Sequence, residues 1–189
     1  PTREKIDPVR FVSNHSTGTM GFALAAAAAE RGATVTLVSG PTSLATPRTV
    51  DRVDVVSAAD MSTAVAEHAS ADLIIMAAAV ADYRPARPEN SKIKKSGEPL
   101  SLEFERTVDI LQGLGSSRQP DQLLVGFAME TDDAEENALR KLKEKNLDWI
   151  VLNNLRDDGA GFGTGTNRVS LFGADGSVEK FPVQSKSSL

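Results

Sequence analysis

Short apolar runs alternate with Ala-rich or amphipathic segments along most of the chain. Runs with apolar side chains on both faces are typical of buried parallel strands, whereas apolar positions at helical spacing indicate helices. The segments predicted as strands are residues 33–39, 53–56, 73–79, 100–104, 123–127 and 149–152. The segments predicted as helices are residues 18–32, 58–69, 108–114 and 132–145.

This alternation predicts an α/β fold of three layers, Rossmann-like, in which a mostly parallel sheet has helices on both faces. The last part of the chain differs, because residues 168–172 and 178–181 flank the turn Ala174-Asp175-Gly176. An Asp-Gly pair between two apolar runs is typical of a β-hairpin, which we expect to extend the sheet. The 189 residues contain no long linker, so we expect one domain over residues 1–189.

Two segments interrupt the pattern. Residues 83–99 contain three prolines and a glycine, which predicts a mobile loop. The Gly-rich residues 159–165 never reach the G-x-G-x-x-G spacing, and a strand follows where a dinucleotide fingerprint requires a helix. We expect a flexible connection there.

Composition narrows the class of protein. The net charge of −5 argues against a nucleic-acid partner, whose binding surface should be basic. The absence of cysteine excludes disulfides, thiolate metal sites and a cysteine nucleophile, and it fits a reducing cytoplasm. The longest apolar run is too short to cross a bilayer. We therefore expect a cytoplasmic protein without a membrane or nucleic-acid partner.

The first candidate site is the polar stretch from Arg10 to Gly21, which leads into a predicted helix. Unpaired N–H groups and the helix dipole favour anions at such a position. Arg10 adds a fixed positive charge, and Asn14 adds an amide that can hold a carbonyl group. The alternative is that Ser16 or Thr17 only caps the helix.

The second candidate is the segment from Ala77 to Asp82, at the carboxyl end of a predicted central strand. Ligands of open α/β sheets bind at such ends. Small side chains would let a flat ring lie against the backbone, and Asp82 could hold a hydroxyl group or a metal ion. The alternative is a buried strand that happens to end in an exposed aspartate.

Two groups of lysines could bind an anion. Ser91-Lys92-Ile93-Lys94-Lys95, called the lysine segment below, could bring an ammonium group to a phosphate, although solvated surface lysines are common. Lys141 and Lys145 are four residues apart and share one helix face, although the macrodipole alone explains basic residues near a helix end. Phe127, just after Gly126, could stack on a base. These sites suggest a nucleotide-using enzyme without specifying its reaction.

The sequence resembles the phosphopantothenoylcysteine synthetase half of the bacterial bifunctional coenzyme A biosynthesis proteins. The resemblance covers nearly the whole chain and keeps the family order. The stretches that carry it are PTREKIDPVRFVSNHSTGTMG (1–21), VTLVSGPTSL (35–44), AAAVADYRP (77–85), SKIKK (91–95), VGFAMET (125–131) and KEKNLDWIVLNN (143–154).

This resemblance implies a two-step ligase. The carboxylate of 4′-phosphopantothenate would attack the α-phosphorus of CTP, giving an acyl-cytidylate and pyrophosphate. The amine of L-cysteine would then attack the activated carbonyl and release CMP. Magnesium would bridge the triphosphate, and the family forms homodimers with substrate pockets near the interface. CTP is thus a co-substrate rather than a resident cofactor.

The resemblance also assigns roles by matching motifs. Lys92 and Asn14 would be catalytic, and Asn14 would hold the acyl-cytidylate with Arg10, Ala78 and Ala79. Asp82 would also be a metal ligand. The residues implied for the CTP site are Ala77, Ala78, Asp82, Lys92, Val108, Asp109, Ile110, Leu111, Phe127, Lys141 and Lys145.

The chain departs from the family in several places. Thr19 stands where the family usually has lysine, and Val108 replaces a proline. The family's first strand, which precedes Pro1, and its last helix, which follows Leu189, are not in the sequence, so the domain is expected to be clipped at both ends. We expect no FMN and no decarboxylase activity on this chain, and a flavin-dependent decarboxylase half, fused or separate, as a possible partner.

Other functions fit parts of the pattern. An NAD(P)-dependent reductase would need a Gly-rich turn and an acidic residue ending the next strand, but that strand ends in Ser39-Gly40-Pro41. A nonenzymatic nucleotide-binding module would bind cytidine nucleotides without releasing pyrophosphate. A related ligase that uses ATP instead of CTP would differ only in the nucleotide base that it binds. The sequence does not identify a residue that distinguishes cytosine from adenine.

Overall fold

The computed structural model describes residues 1–95, 97, 99–130, 132–154 and 166–185. Its helices are α1 (Thr19–Glu30), α2 (Ala58–Glu67), α3 (Ile110–Ser117) and α4 (Ala134–Glu144). Its strands are β1 (Arg3–Lys5), β2 (Phe11–Ser13), β3 (Val35–Ser39), β4 (Val50–Asp54), β5 (Leu73–Met76), β6 (Tyr83–Pro85), β7 (Phe104–Arg106), β8 (Leu123–Glu130), β9 (Trp149–Asn154), β10 (Thr166–Asn167), β11 (Val169–Gly173), β12 (Val178–Lys180) and β13 (Gln184–Ser185). The Gly-rich residues 159–165, predicted as a flexible connection, lie outside the described residues.

The central sheet has five strands in the order β12-β11-β9-β8-β5. Strands β5, β8 and β9 run parallel, whereas β11 pairs antiparallel with both β9 and β12. The turn between β11 and β12 contains Gly176 at a φ of 88°, a conformation that glycine adopts without steric cost. The predicted Rossmann-like α/β class, the mostly parallel sheet and the appended hairpin are therefore confirmed.

Strands β3 and β4 form a parallel pair of their own. Among the described residues, β3 is not a hydrogen-bonded neighbour of β5. A mostly apolar cavity of about 680 Å³ separates these two strands, and α1 lines part of it. The sheet is thus divided between β3 and β5.

The hydrophobic core lies around the central sheet. Met61 of α2, Leu124 of β8, Ile150 of β9 and Phe172 of β11 are at most 2% exposed and belong to one cluster. Burial of this apolar surface favours the folded state and holds the strand ends in fixed positions. None of the described helices is both long and apolar enough to cross a membrane.

The structure corrects the prediction for residues 83–104. Tyr83–Pro85, predicted as part of a loop, forms β6, and the partner strand β7 begins only at Phe104 rather than at Leu100. The two strands pair antiparallel as a separate ribbon, in which Arg84 lies 2.7 Å from Glu105. Proline lacks an N–H group but is tolerated in edge strands, so Pro85 does not prevent this pairing.

Gly115 allows α3 to approach the end of α4 closely. A Cβ atom at this glycine would lie 1.9 Å from the carbonyl oxygen of Lys145. Asn146 Nδ2 donates to the carbonyl oxygen of Gly115 at 2.9 Å, and Gln112 Nε2 donates to that of Glu144 at 3.1 Å. This contact sets the position of Lys145 relative to α3.

We expect Gly115→Ala to destabilise the protein by about 1–3 kcal/mol, because overpacking forces the backbone to shift. The free energy of unfolding in urea measures this loss. Gly113→Ala in the same helix is the matched control, since no atom lies within 4 Å of the added Cβ. Alanine is the better helix former, so the control should be neutral or more stable. Equal stability of both variants would contradict the close approach.

Candidate functional site

A cavity of about 520 Å³, called the strand-end cavity below, lies beside the carboxyl end of β5. Ligands of open α/β sheets bind in this position. Segments that are distant in sequence line it, from the loop after β5, the start of α3, strand β8 and helix α4. The predicted site residues that line this cavity are Ala78, Asp82, Val108, Asp109, Ile110, Leu111, Phe127, Lys141 and Lys145.

The remaining predicted residues lie elsewhere. Ala77 and Ala79 line the cavity between β3 and β5. Arg10, Asn14 and Lys92 do not line either cavity. Asn14 nevertheless lies next to the strand-end cavity, because its Nδ2 donates to the carbonyl oxygen of Val80, a lining residue, at 3.0 Å.

The segment after β5 is held firmly where it lines the strand-end cavity. The backbone N–H of Ala81 donates to Thr2 Oγ1 at 3.0 Å, and Thr107 Oγ1 donates to the Ala81 carbonyl oxygen at 2.6 Å. The N–H of Thr107 donates to the carbonyl oxygen of Asp82 at 3.0 Å. The Asp82 side chain is exposed at this wall, so it can face a ligand without moving the backbone.

Lys141 of α4 and the C-cap residue of this helix, Lys145, both contact carboxylates. Lys145 Nζ lies 2.8 Å from Asp109 Oδ2, and Lys141 Nζ lies 2.5 Å from Glu130 Oε1. The side chain of Lys145 is only 23% exposed. The two lysines are therefore paired with carboxylates beside the cavity, and their binding of an anion stays a prediction. Two ammonium groups along one wall can bind a polyphosphate.

Asp109 has two tasks at the start of α3. It is the N-cap residue, and its side chain accepts from the backbone N–H of Gln112 at 3.0 Å. The pKa of Asp109 is raised by burial. It is lowered by a larger amount by hydrogen bonds from Lys145 and Gln112 and by the charges of Lys145 and Lys141, so the net shift is downward. Asp109 therefore remains a carboxylate and keeps Lys145 beside the cavity.

Phe127 lies in β8 and is half-buried at the cavity wall. Below it the packing is tight, because a Cβ at Gly126 would lie 2.8 Å from Leu147 Cδ1 and 2.9 Å from Leu111 Cδ2. Because successive side chains of a strand point to opposite faces, this packing fixes the strand that carries the Phe127 ring rather than the ring itself. A flat base could stack against it.

Six lining residues lie outside the predicted sites: Met76, Tyr83, Arg106, Thr107, Leu147 and Ile150. Tyr83 belongs to β6 and Arg106 to β7, and these two residues are paired directly across the ribbon. The sequence did show an arginine shortly after an apolar run, but the strand was predicted four residues too early. Without the ribbon, nothing indicated that Arg106 faces the same cavity as Lys141.

The stretch from Arg10 to Gly21 leads into α1 through a glycine. The N-cap of α1 is Gly18, at a φ of 82°, with no side-chain cap hydrogen bond. The N-cap residue is therefore neither Ser16 nor Thr17, although Thr17 Oγ1 accepts from the N–H of Thr19, the first residue of α1, at 3.4 Å. Ser16 Oγ accepts instead from the N–H of Gly18 at 3.2 Å, and Thr17 Oγ1 lies 2.8 Å from Thr19 Oγ1. Anion binding by this stretch stays a prediction.

Arg10 binds within the protein. Its Nε and Nη2 donate to Asp7 Oδ2 at 2.9 and 2.5 Å, and Nη2 also donates to the Ile93 carbonyl oxygen at 2.9 Å. The Arg10 guanidinium is the main reason that the pKa of Asp7 lies far below its usual range; burial opposes the shift, and the N–H groups of Val9, Ile93 and Arg10 add to it. This pair connects Arg10 to the lysine segment rather than to the cavity.

The carboxylates at the strand-end cavity suit a nucleotide-bound magnesium ion. Among the described residues, no group of three or more His, Cys, Asp or Glu side chains could hold a metal ion alone. Magnesium, however, is usually held by one or two carboxylates together with substrate phosphates. Asp82 and Asp109 both line the cavity, and Asp109 is already bound to Lys145. Asp82 thus fits better as a ligand.

Comparisons with known proteins identify the family and similar proteins. Residues 1–189 match the family described as DNA/pantothenate metabolism flavoprotein C-terminal domain. The chain is 50% identical over 188 residues to the coenzyme A biosynthesis bifunctional protein CoaBC of Bacillus subtilis (strain 168), covering 98% of this chain and 46% of that protein. It is 49% identical over 188 residues to a protein named Cysteine/Cysteine sulfinic acid decarboxylase from an unknown prokaryotic organism, covering 98% of this chain and 52% of that protein.

A solved structure is also similar. The crystal structure of the C-terminal domain of coenzyme A biosynthesis bifunctional protein CoaBC has a TM-score of 0.83 and 46% identity, covering 100% of this chain and 85% of that one. The chain spans about half the length of the curated relatives it matches. On the match over its full length, the chain belongs to the DNA/pantothenate metabolism flavoprotein C-terminal domain family.

Proposed function

We propose that this chain joins 4′-phosphopantothenate to L-cysteine with CTP, through an acyl-cytidylate, in coenzyme A biosynthesis. The observation that carries the proposal is the strand-end cavity, where Asp82, Phe127, Lys141 and Lys145 line one space of about 520 Å³. The family and the coenzyme A biosynthesis relatives support the same conclusion. The two relatives carry different names, so the experiment below also tests for decarboxylation.

In the first step, an oxygen of the 4′-phosphopantothenate carboxylate forms a bond to the α-phosphorus of CTP, and the bond to pyrophosphate breaks. Lys141 and Lys145 would bind the triphosphate, and Phe127 would stack on cytosine. The nucleotide would be bordered by Asp109 and by the backbone of Val108, Ile110 and Leu111. The backbone is the relevant part of Ile110, because its side chain is buried in the core. Magnesium would neutralise phosphate charge when held by Asp82 and the nucleotide.

In the second step, the amine of cysteine forms a bond to the activated carbonyl carbon, loses a proton, and CMP leaves. Lys92 would stabilise the negative charge that develops during activation. Electrostatic stabilisation of this kind is usually the largest single contribution to catalysis. Asn14 would hold the acyl-cytidylate beside Val80. The small residues Ala77, Ala78 and Ala79 would let the ligand approach the backbone, with Arg10 supporting the site.

The test supplies the purified chain with 4′-phosphopantothenate, magnesium and either CTP or ATP, with and without cysteine. We expect pyrophosphate release with CTP and formation of 4′-phosphopantothenoylcysteine when cysteine is added. Cytidine nucleotide binding without pyrophosphate would favour a nonenzymatic binding module. Hydride transfer with NAD(P)H, or carbon dioxide release from cysteine or cysteine sulfinate, would favour a reductase or a decarboxylase.

Asn14→Asp should separate the two steps. Aspartate cannot donate the hydrogen bond that Asn14 Nδ2 makes to the Val80 carbonyl oxygen, and it places negative charge beside the phosphate of the intermediate. We expect the acyl-cytidylate to form and accumulate while product formation falls about 100-fold, the effect typical of losing one positioned donor. Rapid quench with labelled CTP measures both species.

Gln119→Glu makes the same amide-to-acid change at an exposed position outside the cavity and should leave both rates unchanged. Equal losses of activation and product formation in Asn14→Asp would show that Asn14 does not act specifically on the second step.

The assembly and location are part of the same proposal. Exposed apolar side chains lie on two ribbons that contact each other through β1 and β6: Val9 and Phe11 on one, Tyr83 and Phe104 on the other. Exposed apolar side chains on neighbouring elements are typical of a protein interface, which supports a homodimer beside the cavity that Tyr83 lines. Light scattering would measure the mass.

We place the ligase in the cytoplasm, where a decarboxylase half, fused or separate, would act on its product.

A further inference from the structure

The lysine segment is attached to the turn between β1 and β2. Ahead of the segment, the N–H of Glu89 donates to the Ile6 carbonyl oxygen at 2.8 Å. Within it, the N–H of Ile93 donates to Asp7 Oδ2 at 3.1 Å, and the Ile93 carbonyl oxygen accepts from Arg10 Nη2 at 2.9 Å. Both backbone polar groups of Ile93, the neighbour of Lys92, are therefore bound by one ion pair.

The two oxygens of Asp7 have different partners. Oδ1 accepts from the backbone N–H groups of Val9 and Arg10, each at 2.8 Å, and so shapes the turn. Oδ2 accepts from the Arg10 side chain and from Ile93. The Asp7 side chain is 0% exposed, so this carboxylate is fully committed to bonds inside the protein. A buried charge of this kind is maintained only where its partners are fixed.

The hairpin of β1 and β2 is attached at its other end to the wall of the strand-end cavity. The N–H of Thr2 donates to the Ala79 carbonyl oxygen at 3.2 Å, and Thr2 Oγ1 accepts from Ala81 at 3.0 Å. Asn14 Nδ2 donates to Val80 on the same wall. The hairpin thus connects the cavity wall to the lysine segment and sets the distance between them.

We propose that Asp7 is a positioning residue, which together with Arg10 fixes the backbone at Ile93 and thereby holds Lys92 for the activation step. The role of Lys92 rests on the proposed function, whereas the attachment of the segment does not. Asp7 is absent from the roles that the resemblance implies. Arg10 acts in this arrangement through its bonds to Asp7 and Ile93. Fixing a catalytic group in advance removes the entropy cost of ordering it during the reaction.

Asp7→Asn tests the attachment without using the reaction. The asparagine side chain keeps an oxygen that can accept from the N–H groups of the turn. Its NH₂ group, however, faces the donors of Arg10 and Ile93, so the bonds to these two residues are lost. Because the chain has no cysteine, Lys94→Cys carries a single nitroxide label, whose spectral line should sharpen when the segment is released. Trypsin cleavage after Lys92 and Lys95 should become about 10-fold faster, as expected for losing a hydrogen bond to a charged group.

Two further variants keep this test interpretable. Asp54→Asn is the matched control, since it breaks an exposed ion pair with Arg52 far along the chain and should leave the label and the cleavage unchanged. Arg10→Lys keeps the charge beside Asp7 but cannot make the same paired contacts, and its half-exposed side chain lowers the risk of unfolding. It should release the segment in part. Unchanged label mobility and cleavage in both Asp7→Asn and Arg10→Lys would overturn the proposal.

The kinetic test uses pyrophosphate release. Asp7→Asn should lower kcat about 10-fold while KM for CTP changes less than about 2-fold, because the nucleotide contacts lie in the cavity. In a Lys92→Gln background, Asp7→Asn should cause no further loss, since it acts through Lys92. A further loss of similar size would overturn the positioning role. If Asp7→Asn releases the lysine segment but the unmodified chain never cleaves CTP, the proposed function is wrong and the attachment of the segment by Asp7 is still supported.

Discussion

Lys92→Gln is expected to slow pyrophosphate release from CTP by about 100-fold or more, the effect of removing one group that stabilises charge in the transition state. Glutamine keeps much of the length of the side chain and removes its charge. The backbone bonds of Ile93 to Asp7 and Arg10 do not involve the side chain of Lys92, so the segment should stay attached. A loss in this variant therefore reports the ammonium group itself. Steady-state measurement of pyrophosphate provides the rate.

The split between kcat and KM identifies the role. A cation that acts mainly on the developing charge lowers kcat and leaves KM for CTP nearly unchanged, whereas a simple ground-state contact raises KM. Lys94→Gln is the matched control, because it removes a charge from an exposed side chain of the same segment and should keep activity within about 2-fold. Undiminished turnover in Lys92→Gln would remove Lys92 from the mechanism.

Local patterns located a large part of the candidate site. The run from Leu73 has apolar residues on both faces and ends in alanines before Asp82, which placed this aspartate at a strand end. Lys141 and Lys145 share a helix face because the helix has 3.6 residues per turn. Both arguments depend only on periodicity. The structure places all three residues on one cavity, although periodicity alone does not bring the strand and the helix together.

Contacts between distant segments could not be predicted from such patterns. Arg10 and Ile93 are 83 residues apart, and nothing near either residue indicates that a guanidinium binds that carbonyl group. The β6–β7 ribbon joins Pro85 to Phe104 at the two ends of a segment whose prolines and glycine favoured a loop. Because this pairing was not predicted, residues 83–85 were assigned to a loop and the strand at Phe104 was placed too early. Arg106 and Thr107 were missed for the same reason.

The acidic partners of the lysines show a further limit of sequence reasoning. Lys141 and Lys145 were expected to bind an anion, with complementing the helix dipole or facing solvent as the alternatives. In the structure, Lys141 reaches Glu130 at the end of β8, and Lys145 reaches Asp109 at the start of α3. These pairs hold both ammonium groups in the free protein. A triphosphate must therefore exchange places with existing carboxylate contacts or add to them.

This exchange determines the expected loss for Lys141→Gln combined with Lys145→Gln. Each hydrogen bond between an ammonium and a phosphate contributes about 1.5–3 kcal/mol, so two of them correspond to at least about 100-fold in affinity. Because the lysines already bind Glu130 and Asp109, the net effect should lie near the lower end of that range. We therefore expect the Kd for CTP to rise about 100-fold, measured by calorimetry, with a weaker dependence on salt concentration.

Lys143→Gln provides the matched control, since Lys143 lies in the same helix, is exposed and does not line the strand-end cavity. It removes one charge from the same end of the helix, whereas the double variant removes two, so its effect measures the long-range electrostatics of each charge and should stay below about 3-fold. A comparable loss in this control would mean that α4 attracts CTP only through its net charge. A large loss confined to the double variant, together with weaker salt dependence, would instead require direct contacts between the triphosphate and the wall that Lys141 and Lys145 form.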